Sequence, residues 1–110
     1  MGIHSLAYLA ARQGITLEHS RFMNENGRLV PVGTSWRIFI NTRASPDEQR
    51  QALGLCLVEY HLRNPPFFIT EDFSVDWKAA DAAHPRLYVT TASGRKFVYE
   101  LHTGNFREAL

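Results

Sequence analysis

Apolar residues fall on every side of the stretch 45–63, SPDEQRQALGLCLVEYHLR, where Ala52, Leu53, Leu55, Cys56, Leu57, Val58, Tyr60 and Leu62 leave almost no polar face. A helix that is apolar all round is buried on most sides, so this segment is predicted to be the core helix. Ser45 precedes Pro46, which fits a first helical position where no N–H is needed. Ser45 and Glu48 have the spacing of a capping box, and Asp47 and Glu48 place negative charge at the positive end of the helix dipole. Arg63 suits the last carbonyls, Asn64 a left-handed cap, and Pro65-Pro66 forbids continuation.

Elsewhere the pattern changes period. Leu6, Leu9 and Ala10 repeat at helical spacing and predict a short amphipathic helix over residues 5–13, with Ser5 as its cap and Gly14 as its left-handed stop. Ile15, Leu17 and His19 alternate with polar residues as in a strand. The turn signal Asn24-Glu25-Asn26-Gly27 then lets residues 28–32 return as its partner. Residues 35–41, SWRIFIN, form the clearest strand, with Trp36, Ile38 and Ile40 on one side and Arg37, Phe39 and Asn41 on the other. After the core helix, Phe67, Phe68 and Ile69 read as a short extended run. Residues 71–83 fit either a helix capped by Ser74 or a loop with one helical turn. Residues 86–91 and 95–101 are β-rich runs joined by Ala92-Ser93-Gly94, a hairpin. The last residues, from His102, read as a tail with at most a final helical turn. The expected fold is α+β: a small, mostly antiparallel sheet with the 45–63 helix across one face, a short N-terminal helix and a C-terminal β-hairpin.

Composition narrows the classes. A chain of 110 residues is the size of a single domain that closes one core without disulfides. Cys56 stands alone in an apolar helix and is read as a small hydrophobe. No apolar run is long enough for a bilayer and no signal segment opens the chain, so a soluble cytoplasmic protein is the expectation. Net charge is +1, but the middle of the chain, residues 44–85, is acidic and both flanking parts are basic.

The helix–strand–SWRIFIN–capped helix order resembles the N-terminal part of the ImmA/IrrE family. The matching residues lie between Leu6 and Leu62: LAYLAARQGITL, the IFIN strand, SPDEQR and ALGLCLVEYHL. That family comprises small zincin-like proteins, many carried on mobile elements, that act on helix-turn-helix repressors. Its core helix carries H-E-x-x-H, two histidines one turn apart that hold zinc with the glutamate as general base. The corresponding positions here are Leu55 for the first ligand, Cys56 for the base and Glu59 for the second ligand. A leucine cannot bind zinc, and a buried thiol is a poor proton relay. A helix bearing the third ligand is not recognisable. The resemblance therefore implies a zincin-like scaffold whose peptidase chemistry is lost, a pseudoenzyme.

No other constellation carries catalysis. His4, His19, His61, His84 and His102 are scattered without ligand spacing, no serine has a nucleophile-elbow context, and Asn26-Gly27-Arg28 and Ser93-Gly94-Arg95-Lys96 are turns rather than phosphate loops. No metal or cofactor is expected. The candidate partner-binding residues are the basic Arg86, Arg95 and Lys96 and the acidic Glu71, Asp72 and Asp76. The expected function is a non-catalytic protein-interaction module: an inhibitor, antirepressor or adaptor whose partner is a regulator or a host or phage protein. The alternative is a small nucleic-acid-binding protein using Arg21, Arg28, Arg37, Arg43 and the basic hairpin. A homodimer through a strand edge is compatible with either.

Overall fold

The computed structural model describes residues 3–110. Its elements are α1 (Ile3–Arg12), β1 (Thr16–Ser20), β2 (Gly27–Val32), β3 (Ser35–Asn41), α2 (Pro46–Arg63), β4 (Phe73–Asp76), β5 (Arg86–Thr91), β6 (Lys96–Glu100) and β7 (Asn105–Glu108). The class is α+β, and its strands divide between a three-stranded and a four-stranded sheet. Four of the five strand pairings are antiparallel. The chain divides into two compact units, with the boundary between Tyr60 and His61.

In the unit up to residue 60, α1 begins two residues before the expected Ser5 cap. It ends where the sequence indicates. Gly14 has φ +74°, its N–H donates to the Ala11 carbonyl, and the Ile15 N–H donates to the Ala10 carbonyl. These are the paired bonds of a Schellman stop. Leu6, Leu9, Ala10 and Ile15 are buried.

The sheet order is β1-β3-β2, which differs from the expected pairing of β1 with β2. β2 folds onto β3 through Gly33-Thr34, with Val32 opposite Ser35 and Gly33 at φ +61°, the positive φ a two-residue hairpin turn requires. β1 lies parallel to β3 on its other side, Thr16 opposite Arg37. Asn26-Gly27 does not turn a hairpin; it ends a crossover that carries the chain past β3. The burial pattern gives the reason. Ile38 and Ile40 have no exposed surface, and the central position flanks the most apolar strand on both edges. Asn41 fastens the crossover from inside. Its Nδ2 donates to the carbonyls of Met23 (3.2 Å) and Glu25 (3.1 Å), and its Oδ1 accepts the Arg43 N–H at 2.9 Å.

The start of α2 is as the sequence specifies. The Glu48 N–H donates to Ser45 Oγ at 3.1 Å, and the Ser45 N–H donates to Glu48 Oε1 at 2.9 Å. This is a reciprocal capping box. Two contacts fix the direction of α2 over the sheet. A Cβ on Gly27 would lie 2.9 Å from Ala52 Cβ and 3.3 Å from Ile40 Cδ1, while Tyr60 meets the Trp36 ring edge-on at 6.1 Å. The later helix residue thus sits over the earlier β3 residue, so α2 runs antiparallel to β3. The lengths agree: eight helical residues rise about 12 Å and four strand residues about 13 Å. Only glycine at position 27 allows this approach.

In the unit from residue 61, α2 ends at Arg63, followed by a cis Pro65-Pro66 peptide. Arg63 Nη1 donates to the carbonyls of Ile69 (2.7 Å) and Glu71 (3.3 Å). Residues 67–69 are not extended as expected: Phe67 closes a turn on the Asn64 carbonyl and Phe68 has φ +53°. The segment 71–83 is not a helix either. Phe73 and Val75 alternate with exposed residues in β4 and pair with Thr91 and Val89. The tail is β7, whose Phe106 lies opposite Tyr99. The expected β5–β6 hairpin is present with Gly94 at φ +90°, and β4 and β7 extend it to the order β4-β5-β6-β7. Leu87, Val89, Phe97 and Tyr99 are buried on its inner face.

Two outcomes test this account. Asn41→Ala removes three hydrogen bonds made by a buried side chain and is expected to lower stability by about 2 kcal/mol, read as a shifted urea midpoint. Gly27→Ala forces α2 away from β2 at a cost of about 1–3 kcal/mol. Chemical denaturation that matches the wild type would show that the helix does not rest there.

Candidate functional site

The face of α2 that carries Leu55 and Glu59 is its open face. Positions 51, 55 and 59 are successive four-residue steps and share one side. Gln51 is exposed, Glu59 is half-buried and Leu55, a large hydrophobic residue, retains 39% of its surface. The rest of the helix turns inward: Ala52, Leu53, Cys56, Leu57, Val58 and Leu62 are all buried. The exposure of Leu55 departs from the burial expected of an all-apolar helix. The two positions that correspond to zinc ligands thus face outward, one helical turn apart.

Their chemistry does not fit a metal. Leu55 has no donor atom. Cys56 points into the core, and its thiol is pushed up to about 12, first by burial and then by the Glu59 charge. It is therefore protonated and inert at neutral pH. Among the described residues no group of three His, Cys, Asp or Glu side chains is placed to hold a metal ion. His19 is exposed on β1. The side chain of His4 lies outside the described residues. His61 is packed in the unit that begins with it, stacked on Phe106 at 5.0 Å and edge-on to Tyr99 at 5.0 Å. The family's zinc does not fit these residues.

All six candidate partner-binding residues lie in the unit from residue 61, and the structure gives them different tasks. Glu71 accepts the Ser93 N–H at 3.2 Å and the Ser93 hydroxyl at 2.7 Å. Hydrogen bonds from Thr91 and Ser93 hold its carboxyl below the usual range. Arg95 grips Glu108 with two bonds of 2.9 and 2.8 Å and lies over the Phe97 ring at 5.5 Å. These two side chains tie the hairpin tip to its neighbours. Asp72 is exposed, and its carbonyl accepts the Ala92 N–H. Asp76 and Lys96 border a 410 Å³ groove on the outer face of the sheet, floored by Tyr88 and Val98. Arg86 lines a separate 270 Å³ pocket with His84 and His102.

Sequence reading did not single out Tyr88 and Val98. Their signal was present: Phe97-Val98-Tyr99 is apolar without alternation, which marks an outer face with an apolar floor. The meeting of His84, Arg86 and His102 had no such signal, because it depends on the register of β5 with β6.

A profile of the Peptidase M78 family, described as the IrrE N-terminal-like domain, matches residues 10–83. Comparison with curated proteins and with solved structures gave no match. The matched segment runs from α1 through α2 and beyond β4.

His61 gives this part of the molecule a pH dependence. Burial lowers its imidazole from the ordinary 6.5 to about 4, so the folded state holds it neutral while the unfolded chain protonates it. Its contribution is complete above pH 6.5 and is lost as pH falls toward 4, in all on the order of 3 kcal/mol. Urea midpoints measured between pH 7 and 4.5 are expected to fall in the wild type and to flatten in His61→Phe. Equal slopes would place the titration elsewhere.

Proposed function

The chain belongs to the IrrE N-terminal-like domain family, and we propose that it keeps that scaffold as a protein-interaction module without peptidase chemistry. One observation carries this reading. The outward positions of α2 that would hold zinc present a leucine and a carboxylate, with a neutral buried thiol between them. A leucine 39% exposed beside an acidic residue is a contact surface rather than a hydrolytic centre. The module acts as one domain, in the cytoplasm, as an inhibitor, antirepressor or adaptor. Its partner is a regulator or a host or phage protein, in keeping with a mobile-element origin.

Exposed apolar side chains support a protein partner. Phe22 is 90% exposed in the β1–β2 crossover and Phe68 is 67% exposed after α2; such residues are enriched at interfaces and hot spots. Phe68 also holds a positive φ, a conformation costly for an aromatic residue and concentrated at functional positions. The nucleic-acid reading draws less support, because Arg28, Arg37 and Arg95 are paired with Glu25, Glu18 and Glu108.

The direct test is elemental analysis of protein purified in metal-free buffer and then offered one equivalent of zinc. The expected content after desalting is well below one zinc per chain. Stoichiometric zinc would overturn the non-catalytic reading. Leu55→Glu is expected to leave the thermal midpoint unchanged and to weaken the partner complex by about 1–2 kcal/mol. Unchanged affinity would remove this helix face from the interface.

A further inference from the structure

We propose that the pocket between the start of β5 and the β6–β7 turn is a site for a phosphate group, free or at the end of a larger molecule. The Leu101 N–H donates to the Pro85 carbonyl at 2.9 Å, which fixes the turn against the segment leading into β5. Register places Arg86 opposite Glu100. The turn closes through the Gly104 N–H on the Glu100 carbonyl at 2.7 Å, with Gly104 at φ +78°. These bonds bring His84, Arg86 and His102 to the walls of one 270 Å³ pocket, with Thr103 and Glu100 completing it.

The donor set is that of an oxyanion site. Arg86 Nε is buried, with no hydrogen-bond acceptor among the described residues. Its guanidinium lies over the Tyr88 ring at 5.9 Å, which orients the plane. Nε itself is enclosed, so a ligand in the pocket meets the terminal Nη pair, a planar fork that matches two oxygens of a phosphate or carboxylate. Glu100 is the one carboxylate in the wall, and its Oε1 is taken by Arg107 Nη1 at 2.8 Å, so its charge is offset from the neighbouring strand. His84 and His102 add ring donors beside the arginine, more than the two oxygens of a carboxylate would use. The volume is below the roughly 300–1,000 Å³ of pockets for drug-sized ligands, which suits a small group such as a phosphate. The proposal does not depend on the role assigned to α2.

The test is amide NMR of the full chain at constant ionic strength, titrated in parallel with inorganic phosphate, a phosphoserine peptide and acetate. Saturable shifts are expected at His84, Arg86, His102 and Thr103 with both phosphate probes. Arg86→Gln is expected to weaken binding roughly tenfold or more, the loss of a charge-assisted hydrogen bond. Arg86→Lys keeps the charge without the fork and falls between. Lys96→Gln, a cation outside the pocket, is expected to change affinity by less than about twofold, since the added salt screens it. Tighter binding of the peptide would identify a covalently held phosphate, and equal binding a free one. The site is refuted by no saturation at about 10 mM phosphate, ten times a millimolar Kd. An equal response in Arg86→Lys and the wild type, or acetate binding as tightly as phosphate, refutes it as well.

Discussion

The close approach of α2 to its sheet sets the terms for the unit up to residue 60. At one end of β3, Gly27 gives up its side chain so that Ala52 can rest beside Ile40. At the other, Trp36 and Tyr60 fill the wider gap with two rings. A small contact at one end and a large one at the other hold the helix antiparallel to β3. The capping box then fixes its start through Ser45 and Glu48. With rotation and start both fixed, the outward face follows without further choice: Gln51, Leu55 and Glu59 must point away from the packed side.

That geometry makes the substitutions at Leu55, Cys56 and Glu59 informative. Had Leu55 faced the core, it would be an ordinary packing residue. It lies instead on the open face, where an apolar side chain gains little by folding and a metal ligand would be well presented. Position 56 turns inward, and burial drives its thiol toward the protonated state. A glutamate there would bear a buried charge next to Leu53 and Leu57. The core around Cys56 therefore suits a small hydrophobe, and packing and lost chemistry are consistent at that position.

What the sequence reveals and what it hides divide by the range of the interactions involved. α2, β3, the Gly14 stop and the β5–β6 turn are specified by neighbours within a few residues, and all are where the pattern places them. β4 and β7 are four-residue strands that exist only because β5 and β6 supply their partners, so a local window sees Ser74 as a helix cap and residues 105–108 as a tail. The parallel pairing of β1 with β3 is likewise non-local. It follows from Ile38 and Ile40 needing cover on both edges, while the Asn26-Gly27 signal points to a nearer hairpin. The same division holds at the sites. Leu55, Cys56 and Glu59 are legible because helical spacing alone sets their faces. The engagement of Glu71 with Ser93 joins residues 22 apart, and no local reading supplies it.

Arginine content shows how far pairing changes what a surface offers. The chain is rich in arginine, yet Arg28, Arg37, Arg50, Arg95 and Arg107 each face a carboxylate, and Arg63 donates to two backbone carbonyls. Exposed pairs of this kind add little to stability. Their larger effect is on the field. Opposite charges held in contact act as a dipole, and beyond the screening length of about 8–10 Å little of it remains. A polyanion that must exchange many counterions for protein cations finds fewer of them than the sequence suggests. A partner that makes apolar contact at Leu55 is unaffected by that loss. Arg86 differs from the paired arginines in kind, since its buried Nε meets no acceptor among the described residues. On a surface where many arginines are neutralised in place, Arg86, on the wall of a pocket, is the one on which the proposed anion site rests.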